Sequence, residues 1–212
     1  MNLKYQTGFG NDFAIRLVEI TLLLLILVST AGLARGQDEE QYRIYDAVIR
    51  HMFRDGVTRF DMNAKVDKIV MRDRTRSKNN ENWKQVKNRL QSLSDETIAG
   101  YESERQKESN LTRKFEIPFK YLFISDKELA ELFGTPGNHD QFIAGWKGFY
   151  TKYPTSGGYN SFSKIGFDKK RQQALVYFVN SCGGLCGTST YVLLQNAENG
   201  WTVTETGMMW IS

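Results

Sequence analysis

The chain predicts an α+β fold, with N-terminal helices packed on a C-terminal antiparallel β-meander of about four strands. Three observations predict it. Apolar residues recur at helical spacing through the first half of the chain. After Pro154 the apolar period changes to two. No strand–helix–strand alternation marks a parallel sheet.

The elements follow in order. Tyr45, Val48, Ile49, Met52 and Phe53 fall on one helical stripe, with Asp38, Glu39 and Glu40 near its start and Gly56 past its end. Val66–Arg72 alternates as a strand does, Ile69 and Met71 facing one way and Lys68 and Arg72 the other. A polar loop over residues 73–82 precedes helical spacing at Trp83, Val86, Leu90 and Leu93. Ser94 caps the next helix, whose polar continuation through Gln106 is expected on the surface. Phe115, Ile117 and Phe119 read as a strand, and Pro118 marks it as an edge or an irregular one. Ser125 and Glu128 form a capping box ahead of Leu129, Leu132 and Phe133. A loop over residues 134–138 leads to a last helical stripe of Phe142, Trp146, Phe149 and Tyr150, ended by Pro154. The meander is Ser161–Phe167, Ala174–Asn180, Thr190–Gln195 and Trp201–Thr206, with Met208–Ile211 continuing past a bulge at Gly207.

The N-terminus bears on compartment. Ile20–Val28 is the most apolar run, preceded by Lys4 and Arg16 and followed by small residues and the polar Gln37–Glu40. That is the layout of a secretory signal over residues 1–36, cut before Gln37 with small Ala34 and Gly36 ahead of the cut, and a cut after Ala34 as the alternative. A single domain, residues 37–212, remains, and the net charge falls from +4 to +3. The protein is then exported, periplasmic or secreted. If the segment stays uncut, residues 14–33 become a membrane anchor, although Arg16 and Glu19 are costly in lipid. The weak, dispersed positive charge excludes a dedicated nucleic-acid binder.

Cys182 and Cys186 are the only cysteines. Outside the cytoplasm such a pair is expected to oxidise, and Gly183-Gly184 allows the chain to turn between them. Free thiols are the alternative; a redox pair normally has two intervening residues, and this one has three.

The C-terminal half carries a distinctive texture: Gly145-Trp146-Lys147-Gly148-Phe149-Tyr150, Tyr153-Pro154-Thr155-Ser156-Gly157-Gly158, Cys182-Gly183-Gly184-Leu185-Cys186-Gly187 and Tyr191-Val192-Leu193-Leu194. It resembles a set of uncharacterised exported bacterial proteins that pair such a cysteine turn with similar strands. The resemblance implies export and a shared fold, and no activity, cofactor or catalytic residue.

Reactive chemistry is sparse. His51 lies beside the first apolar stripe, and His139 in a Gly-Pro-Gly loop precedes Asp140. No Gly-x-Ser-x-Gly elbow, His-Glu-x-x-His or phosphate loop follows the leader, so no metal site or cofactor is expected. Trp146, Tyr150, Lys152, Tyr153 and Ser156 form the candidate binding segment, since aromatic rings beside lysines can stack on sugars or peptides. Core packing is the competing role for those rings. The leading reading is therefore an exported, non-enzymatic binding or envelope-associated domain with an envelope glycan or protein ligand. The alternative is a hydrolase or isomerase using some of His139, Asp140, Tyr150 and Tyr177 in a pocket between sheet and helices. A membrane-anchored sensor is a third reading, tied to an uncut leader.

Overall fold

The computed structural model describes residues 38–54, 66–77, 81–112, 114–134 and 139–211. The leader over residues 1–36 and Gly56, the expected stop of the first helix, lie outside them. Two compact units divide the chain, Met1–Gln41 and Tyr42–Ser212. Of the first, residues 38–41 are described, and they are helical. The sheet and, from Tyr42 on, the helices belong to the second.

The fold is α+β, but the sheet is larger than the expected meander and mixed. Among the described residues seven strands run in the order β2-β1-β3-β5-β6-β7, with β4 beside β5. They are β1 (Lys68–Arg72), β2 (Lys120–Ile124), β3 (Ser156–Phe162), β4 (Gly166–Phe167), β5 (Gln173–Gly183), β6 (Cys186–Ala197) and β7 (Gly200–Ile211). The helices are α1 (residues 38–52), α2 (Trp83–Arg89), α3 (Asp95–Glu104), α4 (Asp126–Phe133) and α5 (His139–Lys152). Strands β5, β6 and β7 form the expected antiparallel meander. Strand β1, however, pairs parallel with β2 on one side and β3 on the other. Parallel neighbours need long crossovers. Here α2 and α3 make the first, and α4 and α5 the second. The expectation of a purely antiparallel sheet fails on strand β3, Ser-Gly-Gly-Tyr-Asn-Ser-Phe. It is buried on both sides and so shows no apolar alternation.

Helices consequently cover both faces, not one. Helix α1 lays Tyr42, Tyr45, Val48 and Ile49 on Ile69, Met71, Phe162, Val176, Phe178 and Val192. The Tyr45 hydroxyl donates to Ser163 O at 2.9 Å. On the opposite face, α2 and α3 cover Leu175, Tyr177, Tyr191 and Leu193, and α5 covers Val70 and Ile124. Ser94 and Ser125 cap α3 and α4 as expected, each accepting from the backbone N–H three residues on. The polar helix α3 is not wholly a surface element, since Thr97 and Tyr101 are fully buried.

Two local expectations shift. The segment at Phe115–Phe119 is not a strand; pairing begins at Lys120, beyond Pro118, which has no N–H to give a ladder. Its aromatic rings still pack into the α1 core. The expected strand Ser161–Phe167 is broken into the end of β3 and β4. At the break Ser163 accepts the Tyr177 N–H on its hydroxyl and donates its own N–H to Tyr177 O, both at 2.9 Å. The last strand's irregularity lies between Met208 and Trp210, with another between Val203 and Glu205, not at Gly207. Gly207 is buried under α2, where a Cβ would stand 3.0 Å from Arg89 Cβ.

Candidate functional site

The rows of the sheet place the site. Across β3, β5, β6 and β7, Phe162, Phe178, Thr190 and Met208 are register partners. One row further along, Asn160, Asn180, Thr188 and Ile211 are partners on the same face. Phe53, at the end of α1, lies with its ring 6.2 Å from that of Phe178. The helix thus reaches the phenylalanine row, while the strands run on beyond it. At that step the surface holds an open cavity of about 200 Å³. Met52, Phe53, Phe178 and Ile211 give it apolar walls. Asn180, Thr188, Gly157 and Gly187 give it a polar side, and Cys182 and Cys186 its rim.

The rim is covalently closed. Cys182 and Cys186 form a disulfide with Cα atoms 5.1 Å apart, across a two-residue turn at the end of β5 and β6. Helix α5 braces this hairpin through the Tyr150 hydroxyl, which donates to Cys182 O at 2.8 Å. Gly158 (φ +88°) permits the close passage of β3, because a Cβ there would lie 2.1 Å from Ser181 O. Among the described residues that line the cavity none carries an ionisable side chain, the cysteines being bonded.

The rings of the binding segment expected from sequence are turned inward, while Lys152 stays exposed. Trp146 is 9% exposed and stacks on Tyr150 and Tyr159. Tyr153 is buried, and its hydroxyl donates to Glu128 Oε1 at 2.7 Å. Lys152 pairs with the same carboxylate at 2.5 Å. Burial pushes the Glu128 carboxyl up, but the bonds from Lys152 and Tyr153 outweigh it, and the group sits below the ordinary carboxylate range. Ser156 is fully buried and donates to Tyr153 O at 2.8 Å. These five residues therefore hold α5 to α4, the sheet and the cysteine hairpin.

The alternative catalytic set is dispersed. His139 and Asp140 open α5 and are exposed. Tyr177 is buried under α2 and α3 with Tyr191, ring centroids 4.8 Å apart, whereas Tyr150 belongs to the α5 cluster. His51 is half-buried on α1, and burial lowers its pKa, with Arg54 adding to the effect. Among the described residues no group of three or more His, Cys, Asp or Glu side chains could hold a metal ion. Nor is any described helix long and apolar enough to cross a membrane.

Buried phenols are the clearest electrostatic feature. Burial, above all, raises the pKa of Tyr45, Tyr101, Tyr191 and Tyr153; for Tyr153 the Glu128 carboxylate adds to it. An unfolded tyrosine ionises near pH ~10. The stabilising difference is therefore full below that pH and is lost above it, as unfolded phenols ionise and folded ones do not. In a titration followed at 295 nm, these four tyrosines should lag and then ionise together as far-UV dichroism collapses. A smooth titration of every tyrosine with the fold intact would contradict their burial.

The cavity residues were accessible to sequence only in part. Strand alternation puts Val176, Phe178 and Asn180 on one face, so a polar Asn on an apolar row was visible. That α1 ends at the Phe178 row was not. No protein-family model matches the chain, and no curated protein or solved structure matches it either.

Proposed function

We propose that this is an exported, non-enzymatic binding domain that takes up a small, mainly apolar molecule in the cavity at the disulfide end of the sheet. The observation that carries the reading is the cavity's composition among the described residues: apolar walls, a few fixed polar groups and no ionisable side chain. A disulfide at the rim suits an oxidising compartment outside the cytoplasm, consistent with the signal-like leader. The cavity carries the binding role better than the Trp146–Ser156 segment, whose rings pack inward.

At roughly 30 Å³ per water-sized group, the cavity suits a ligand of about six to eight non-hydrogen atoms. Titration with 1-hexanol, followed by backbone amide NMR, tests this. Saturable shifts are expected at Gly157, Asn180, Gly187 and Thr188, and Thr188→Trp should abolish them by filling the space. Absence of saturable shifts at these amides would overturn the reading.

A further inference from the structure

Resting on that reading, we infer that Asn180 selects the ligand: the cavity takes a neutral molecule that donates a hydrogen bond, such as an alcohol or a primary amide, and rejects a carboxylate. Two side-chain amides in a chain fix one another's orientation. Asn160 is 3% exposed, and its Nδ2 donates to Val70 O at 3.0 Å. That bond turns Asn160 Oδ1 toward its neighbour across the strands, where it accepts from Asn180 Nδ2 at 2.9 Å. The same Asn180 nitrogen donates to Gly157 O at 3.1 Å. Both amide protons of Asn180 are therefore committed, and flipping the group would set its oxygen against two other oxygens.

What Asn180 offers the cavity is then its Oδ1, an acceptor held in a fixed direction. A fixed acceptor facing a mainly apolar cavity favours a ligand that brings a donor, because burying that oxygen without a partner is costly. It disfavours a carboxylate or phosphate for the same reason. Among the described residues no lysine, arginine or histidine lines the cavity to compensate an anion. The adjacent Thr188 hydroxyl both donates and accepts, so it does not discriminate in this way.

The test uses two isomers of equal size, 1-hexanol and methyl pentyl ether, which differ by one donor, together with hexanoate. Binding to the wild-type domain is followed by amide NMR and by the side-chain carbonyl carbon of Asn180. The alcohol is expected to bind about tenfold more tightly than the ether. Hexanoate should be weaker still, and only the alcohol should shift the Asn180 carbonyl carbon. Asn180→Ala should bring the alcohol-to-ether ratio near one, whereas Thr188→Val should keep it. The carbonyl-carbon readout on the wild type decides the matter where Asn180→Ala does not fold. Equal binding of alcohol and ether, tight binding of hexanoate, or loss of the preference in Thr188→Val would overturn the assignment while leaving the cavity as a site. Failure of all three probes to bind would instead overturn the ligand-binding function itself.

Discussion

Gly166→Ala is expected to destabilise the domain by about 3 kcal/mol or more, at the upper end for overpacking. A Cβ at Gly166 would lie 2.3 Å from Tyr101 Cα and 2.4 Å from Tyr101 N. Reciprocally, a Cβ at Gly100 would lie 1.9 Å from Phe167 O. Helix α3 and strand β4 thus touch backbone to backbone through a pair of glycines. No side-chain rotation relieves either clash, so the helix must lift. Lifting it would open the cluster in which Tyr101 packs on Trp83 and Tyr191, with ring centroids 5.8 and 5.7 Å away. For a domain of this size the melting temperature should fall by roughly 6–12 °C. Gly100→Ala should act similarly, and the double variant should cost less than the sum, since both break one contact. A midpoint within a degree of wild type for Gly166→Ala would show that the helix does not lie on the strand.

Tyr45→Ala is expected to cost about 4 kcal/mol, from lost burial and the cavity left behind. The ring is fully buried at the centre of the α1 core, 4.8 Å from the ring of Phe162 and 6.5 Å from that of Phe115. Tyr45→Phe separates packing from polarity. It keeps the ring and removes only the donor to Ser163 O, costing about 1 kcal/mol. Urea denaturation of the two variants measures both. If the phenylalanine variant lost as much as the alanine one, the hydroxyl and not the ring would anchor α1 at the strand break. The phenylalanine variant should also lose part of the alkaline sensitivity, because one buried phenol is gone.

Much of this architecture was readable locally. Tyr45, Val48, Ile49 and Phe53 repeat at helical spacing and are buried together. Ser94 and Ser125 announce helix starts because a side-chain oxygen three residues before an orphan N–H is a local fit. The hairpins from Gln173 to Ile211 follow from short turns and alternation. The cysteine turn was readable as well, because glycines between two near cysteines allow the required approach. Strand β3 was hidden for a physical reason: burial on both faces removes the alternation that marks a strand. Parallel pairing leaves no turn signal, since its partners are joined by helices. The aromatic stripe of α5 illustrates the same limit from the other side. Spacing made Trp146, Phe149 and Tyr150 neighbours, but only the packing of Tyr159 and Phe133 against Trp146 turned those rings inward.

The sequence by itself determined which stretches are helical, where two of those helices begin, the C-terminal meander and the cysteine pair. Each of these depends on residues close together in the chain. Tertiary structure alone decided that β1 lies between two parallel partners, that glycines join α3 to β4, and that α1 ends at the Phe178 row while the strands run on. The cavity lies where the end of α1 meets strands far from it in sequence. Asn180 became a candidate selector only when Asn160 and Gly157 came to lie beside it. Such features arise from distances between elements, and no local pattern of residue types encodes a distance.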